Sequence, residues 1–168
     1  YKDVLGAFDF LQKIGFKKNQ IGLYGISLGA TSVIFAAEKE SSIKAIWSES
    51  SLAEFKMILQ DEISRYGMPH DFGPAISFAG KILTGIDPTK LSPAYSLTNH
   101  QHYYFTHGDK DKRILPRHFY FFKNYASNNN ISSDFWLVKD TYHVDAMLKY
   151  PEEYGLRMKK FFEKHLSN

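Results

Sequence analysis

Five residues carry the strongest chemical signal in the chain: Gly25-Ile26-Ser27-Leu28-Gly29, a G-x-S-x-G pattern. An apolar run, Ile21 to Ile26, leads directly into it, and a helical pattern with small residues leads directly out. A serine at the sharp turn between a buried strand and a helix is lifted clear of the sheet. Its hydroxyl then sits among the free N–H groups of a helix N-terminus, which favour a developing anion. Glycines two positions either side let the backbone pass closely, with no Cβ in the way. These features make Ser27 a candidate nucleophile and the Leu28 N–H a candidate oxyanion donor. The plainer alternative is a tight turn with an incidental serine.

A serine becomes nucleophilic only beside a base, and the base needs an acid to orient it. Thr106-His107-Gly108 ends an apolar run and is followed by Asp109-Lys110-Asp111. A carboxylate just past a strand can point along the same sheet edge as Ser27. Position alone leaves Asp109 and Asp111 level, and either could be a solvated loop or Asx-turn residue. For the base, the chain has seven histidines. His165 falls in a terminal helical pattern. His100 and His102 fall before or at the start of a strand, at the wrong edge. His70 and His118 adjoin no strand end, and His107 precedes the acid candidates. His143 follows the last strand by a short loop, so it is the candidate base.

The elements that must position these groups alternate. Apolar spacing at Val4, Leu5, Phe8, Leu11 and Ile14 predicts a helix over 2–15, with Gly15 at its end. Strands are expected at 21–26, 43–47, 102–106 and 133–138. Helices are expected from Leu28 to about 38, over 115–124 and over 152–166. Residues 52–66 and 75–83 also read as helical, broken by Gly67, Pro69, Gly73 and Pro74. Alternation of this kind predicts one α/β domain over 1–168, a mostly parallel sheet with flanking helices. The irregular stretch 52–86 is where a lid or specificity element would sit.

Composition narrows the alternatives. The chain has 168 residues, 43% hydrophobic and 23% charged, which suits a globular core. A net charge of +3, scattered along the chain, argues against nucleic acid as partner. The absence of cysteine excludes disulfides, a thiolate nucleophile and Cys-ligated zinc. The histidines form no H-E-x-x-H pattern and no phosphate-binding glycine loop is present, so no metal or other cofactor is expected. No apolar run approaches the roughly 18 residues of a spanning helix. The chain starts at Tyr1 and reads as helical at once, the pattern of a piece of a longer protein. A membrane anchor or export signal upstream would lie outside this sequence.

The set GISLGA, HGDKD and TYHVDAMLKYPEEY resembles the α/β-hydrolase superfamily, and within it the prolyl-oligopeptidase-like and related esterase and peptidase groups. Those proteins carry H-G-x-x-D after the next-to-last strand, with its final Asp catalytic. The resemblance therefore selects Asp111 over Asp109. It places the catalytic histidine after the last strand, as His143 is here. Asp87-Pro88, Leu91-Ser92-Pro93 and Pro151 to Tyr154 are also similar to family segments. The resemblance implies a Ser27–Asp111–His143 triad with Leu28 in the oxyanion hole, cleaving an ester, thioester or peptide bond without a cofactor. The expected partner is a small-molecule or peptide acyl substrate. One departure stands out: the family has further strands before the nucleophile, and a loop among them donates a second oxyanion N–H. Loss of one such donor removes roughly 3–4 kcal/mol of transition-state stabilisation. The alternative expectation is thus a non-catalytic α/β-hydrolase-like interaction module, or an inactive truncated fragment.

Overall fold

A computed structural model describes residues 1–69 and 71–166. His70 lies outside the described residues, so its placement relative to the strands is not part of the picture. The chain order is α1 (Lys2–Lys13), β1 (Leu23–Ile26), α2 (Leu28–Lys39), β2 (Ala45–Glu49), α3 (Phe55–Arg65) and α4 (Phe72–Thr84). It continues with β3 (His102–Gly108), α5 (Arg117–Asn128), β4 (Ser133–Val138), α6 (Ala146–Lys149) and α7 (Pro151–His165). The four strands form one parallel sheet in sequential order, with Leu23 opposite Ile46, Ile46 opposite Tyr103, and Tyr103 opposite Ser133. The expected α/β architecture with a parallel sheet is present.

Successive residues of a strand face opposite sides of the sheet, and both sides are covered here. On one side Ile46, Tyr103 and Phe105 pack with Phe8 of α1, Ile34 of α2 and Phe122 of α5. On the other, Ala45, Trp47 and Tyr104 pack with Tyr154 and Phe161 of α7. Trp47 and Tyr104 stack there with ring centroids 3.9 Å apart. The high aromatic content thus fills the core on both faces of the sheet.

Three differences from the sequence pattern have physical causes. β1 is shorter than 21–26 and only half covered: Tyr24 and Ile26 are exposed because β1 lies at the sheet edge. β2 is displaced towards the C-terminus and ends at Glu49, so Ser48 and Glu49 are buried strand residues rather than part of a polar loop. α6 is a single turn whose length is too short to leave a periodic signal. The 52–86 stretch folds as α3 and α4, and α4 carries no buried residue. Among the described residues no helix is long and apolar enough to cross a membrane.

Candidate active site

All three candidate groups emerge at the C-terminal edge of the sheet: Ser27 after β1, Asp111 after β3 and His143 after β4. Ser27 has φ 51° and ψ −117°, a left-handed backbone that costs a non-glycine residue on the order of 1–3 kcal/mol. Two backbone contacts hold it. Its N–H donates to the Glu49 carbonyl at 2.8 Å, and its own carbonyl accepts from Thr31 N–H at 3.3 Å. Gly25 is required by the turn, since a Cβ there would stand 2.7 Å from the Ala30 nitrogen. Gly29 is not: a Cβ at that position meets nothing within 4 Å. The steric reason read from the spacing therefore applies to the first glycine alone.

The loop after β3 folds back on itself, with the Asp111 N–H donating to the Gly108 carbonyl. The Asp111 carboxylate is fully buried and accepts on Oδ1 from the N–H groups of Arg113 at 2.8 Å and Ile114 at 2.9 Å. Burial pushes this carboxyl up, but its bonds from His143 and Ile114 outweigh burial and leave it below the ordinary range. Asp109 has a different task. Its carboxylate accepts from Thr141 N–H at 3.2 Å, and its own N–H donates to the Val138 carbonyl. Asp109 thus ties the loop after β4 to the loop after β3 and has no hydrogen bond to His143.

That tie brings His143 into place. The backbone at Thr141 and Tyr142 lies so close over Gly108 that a Cβ there would stand 2.7 Å from the Thr141 carbonyl carbon. Val144, at φ 54°, then turns the chain, and its N–H points to Ser50 Oγ at 3.5 Å. His143 Nδ1 lies 2.7 Å from Asp111 Oδ2, and His143 Nε2 lies 2.9 Å from Ser27 Oγ. The three side chains form one hydrogen-bonded line. His107 supports it from below. Its Nε2–H donates to the Ile114 carbonyl at 2.8 Å, and burial lowers its pKa, keeping the ring neutral.

Leu28, first residue of α2, has a backbone N–H with no intrahelical acceptor. Beside Ser27 lies a groove of about 480 Å³ with apolar walls from Leu28, Leu52, Phe55, Ile58, Leu59 and Ile114; Glu62 and Arg113 complete its lining. Among the described residues no group of three or more acidic or His side chains is arranged to hold a metal ion.

No protein-family model matches the chain, and no curated protein sequence matches it either. Solved structures do. Acylaminoacyl peptidase from Pyrococcus horikoshii superposes with a TM-score of 0.73 at 20% identity, covering 98% of this chain and 27% of that one. A puromycin-hydrolyzing peptidase from Mycobacterium tuberculosis gives 0.78 at 15% identity, over 98% of this chain and 25% of the other. The chain has the α/β-hydrolase fold. The esterase Pf2001 from Pyrococcus furiosus shares that fold at a TM-score of 0.63 and 17% identity, with 88% of this chain matched to 54% of the esterase. The chain spans about a quarter of the two peptidases and about half of the esterase. Its structural neighbours in the α/β-hydrolase fold are thus peptidases and an esterase.

Sequence reasoning passed over two groups at this edge. Glu49, 2% exposed, ends β2 beside Ser27, and Ser50, also buried, receives Val144. The run Ser48 to Ser51 falls just past the strand expected at 43–47. The signal in it is a glutamate two residues past the apolar run Ala45 to Trp47.

Proposed function

We propose that the chain is a serine hydrolase that works through an acyl-Ser27 intermediate. The observation that carries this reading is the continuous hydrogen-bonded line from Ser27 Oγ through the His143 ring to the Asp111 carboxylate. In this mechanism His143 Nε2 takes the Ser27 proton as Oγ attacks the acyl carbonyl carbon. The tetrahedral oxyanion is held by the Leu28 N–H. His143 then returns the proton to the leaving alcohol, thiol or amine. Water then attacks the acyl carbon as His143 takes its proton, and His143 passes that proton to Ser27 Oγ as the bond to the acyl group breaks and the acid leaves. Asp111 keeps the Nδ1 proton in place and stabilises the imidazolium.

The apolar groove beside Ser27 supports a neutral ester, thioester or amide with an apolar acyl chain. Residues 52–86 act as the specificity element in this reading: α3 supplies Phe55, Ile58 and Leu59 to the groove. The test is intact-mass detection of a fluorophosphonate adduct on wild-type chain and on Ser27→Ala, with circular dichroism alongside. One adduct on wild type and none on the variant is the expected result. No adduct on a well-folded chain refutes the enzyme reading for this chain and favours a binding module.

A further inference from the structure

The loop that carries Asp111 is held on its far side by a residue of α3. Asp111 Oδ1 accepts two N–H groups, from Arg113 and Ile114. Each belongs to a peptide unit whose carbonyl comes from the residue before: Lys112 C=O with Arg113 N–H, and Arg113 C=O with Ile114 N–H. A peptide unit is planar and trans, so its C=O and N–H point in opposite directions. Whatever fixes the carbonyl fixes the direction of the N–H. Both carbonyls accept from one guanidinium nitrogen: Arg65 Nη2 donates to the Lys112 oxygen at 2.9 Å and to the Arg113 oxygen at 3.0 Å. Among the described residues no other hydrogen-bond donor reaches either oxygen. The carbonyl that follows, of Ile114, accepts from His107 Nε2.

Arg65 reaches these carbonyls from a fixed platform. Its Nη1 lies 3.3 Å from Glu62 Oε1, one turn back on α3. The helix is joined to the start of α5 without any help from Arg65. Arg117 Nη2 donates to the Met57 carbonyl at 2.9 Å, Arg117 Nε and His118 Nε2 both meet Asp61 Oδ2, and His118 Nδ1 accepts the Ala53 N–H at 3.0 Å. A guanidinium serves two acceptors in a fixed geometry, and its charge polarises both peptide units so that their N–H ends donate more strongly. Arg65 has no hydrogen bond to Ser27, His143 or Asp111, so its effect on them passes through the two peptide units.

We propose that Arg65 is a positioning residue of the triad: through the Lys112–Arg113 and Arg113–Ile114 peptide units it holds the Asp111 carboxylate in line with the His143 ring. This rests on the serine-hydrolase reading above. Without Arg65 the two carbonyls turn to water, the two N–H groups lose their fixed aim, and Asp111 Oδ2 no longer has one set position 2.7 Å from His143 Nδ1. The groove wall and the acid loop also lose their direct tie, since α3 supplies Phe55, Ile58, Leu59 and Glu62 to the groove. A loosened acid lowers kcat, whereas a displaced groove wall raises KM, so the two consequences separate in kinetics.

The experiment compares Arg65→Met, Arg65→Lys and Glu62→Gln with wild type. It measures p-nitrophenyl ester hydrolysis, fluorophosphonate labelling, a thermal melt and the low-field proton resonance of the His143–Asp111 hydrogen bond. Methionine keeps the helix propensity and part of the aliphatic stem of Arg65. The expected result for Arg65→Met is a folded chain with kcat lower by about tenfold, KM within about twofold, and a low-field resonance that moves upfield or broadens. Arg65→Lys, which keeps a cationic donor, falls between Arg65→Met and wild type. Glu62→Gln removes the ion pair, leaves both carbonyl bonds, and stays within about twofold of wild type. A lowered melt with kcat per labelled molecule and the resonance unchanged marks a merely structural role and overturns the proposal, as does a raised KM at unchanged kcat. Should Arg65→Met fail to fold, Arg65→Gln, a neutral donor, carries the same test. Failure of wild type to label refutes the hydrolase reading instead, and the resonance, which needs no turnover, then still decides whether Arg65 holds the acid.

Discussion

Replacing Asp111 by Asn probes the site most sharply, because the structure dictates which way the new amide turns. Oδ1 of Asp111 accepts two backbone N–H groups, from Arg113 and Ile114, while Oδ2 faces His143 Nδ1 at 2.7 Å. An asparagine must leave its oxygen on the two N–H groups. The reverse orientation would leave both of them unpaired and buried, at about 1–3 kcal/mol each. Its NH2 then points at His143 Nδ1, which must become an acceptor. The imidazole proton moves to Nε2, the atom 2.9 Å from Ser27 Oγ, and the base that should take the serine proton already carries one. A wrong tautomer of this kind lowers kcat by on the order of 10⁴ in a comparable triad, about 5 kcal/mol of transition-state stabilisation. Stability should change little, since both backbone bonds persist. Ester hydrolysis and fluorophosphonate labelling, read beside a thermal melt, measure the two effects. Asp109→Asn is the control, and it should act through the Thr141 tie with a far smaller loss. Asp111→Asn activity within tenfold of wild type, or an equal loss from Asp109→Asn, would refute the reasoning.

The two glycines of the serine turn should respond oppositely. Gly25→Ala forces a Cβ onto the Ala30 nitrogen and should destabilise by about 1–3 kcal/mol, whereas Gly29→Ala fills open space in α2 and should stabilise by about 0.5–1 kcal/mol; melts of both decide it. His118 is buried, its Nδ1 accepting from Ala53 N–H at 3.0 Å and its Nε2–H directed at Asp61, and burial lowers its pKa to about 4. The unfolded ring binds a proton near 6.5, so the unfolded state gains protons first as pH falls. The stability held by this group is full above about 6.5 and declines towards pH 4, by about 3 kcal/mol in all. Denaturant midpoints at pH 7, 5.5 and 4.5 should show that decline, and less of it in His118→Gln. A slope unchanged by His118→Gln would refute the assignment. Lengthening the acyl chain of a p-nitrophenyl ester should raise kcat/KM by about twofold to fourfold per methylene until the groove is full. Leu59→Trp, which narrows the groove, should move the optimum to shorter chains.

Much of this arrangement is written in local pattern. Ser27 is legible because a strand, a turn and a helix follow one another within the range of a single motif. The four strands are legible because each is bounded by polar or glycine-containing segments and alternates with a helix. The choice between Asp109 and Asp111 is not legible from position, and the reason is geometric. Both follow β3, and what separates them is the fold of the loop: the Asp111 N–H closes on Gly108, while Asp109 is taken up by Thr141 across 32 residues of sequence. No property of either residue alone records that pairing.

Glu49 shows where a pattern reading fails in the other direction. Hydropathy marks Ser48 to Ser51 as solvated, and the structure buries all four. They are buried because β2 lies between β1 and β3, so its C-terminal end must meet both the serine turn and the loop from β4. Residues 49 and 50 serve distant elements: Glu49 takes the Ser27 N–H and the Tyr154 hydroxyl, and Ser50 meets the Thr106 carbonyl and the Val144 N–H. The same burial that hides the run from a hydropathy count gives it its use. Packed between two neighbours with one polar donor each, residues 49 and 50 can fix the separation of the serine turn and the histidine loop. A solvated loop of the same composition would leave that separation free.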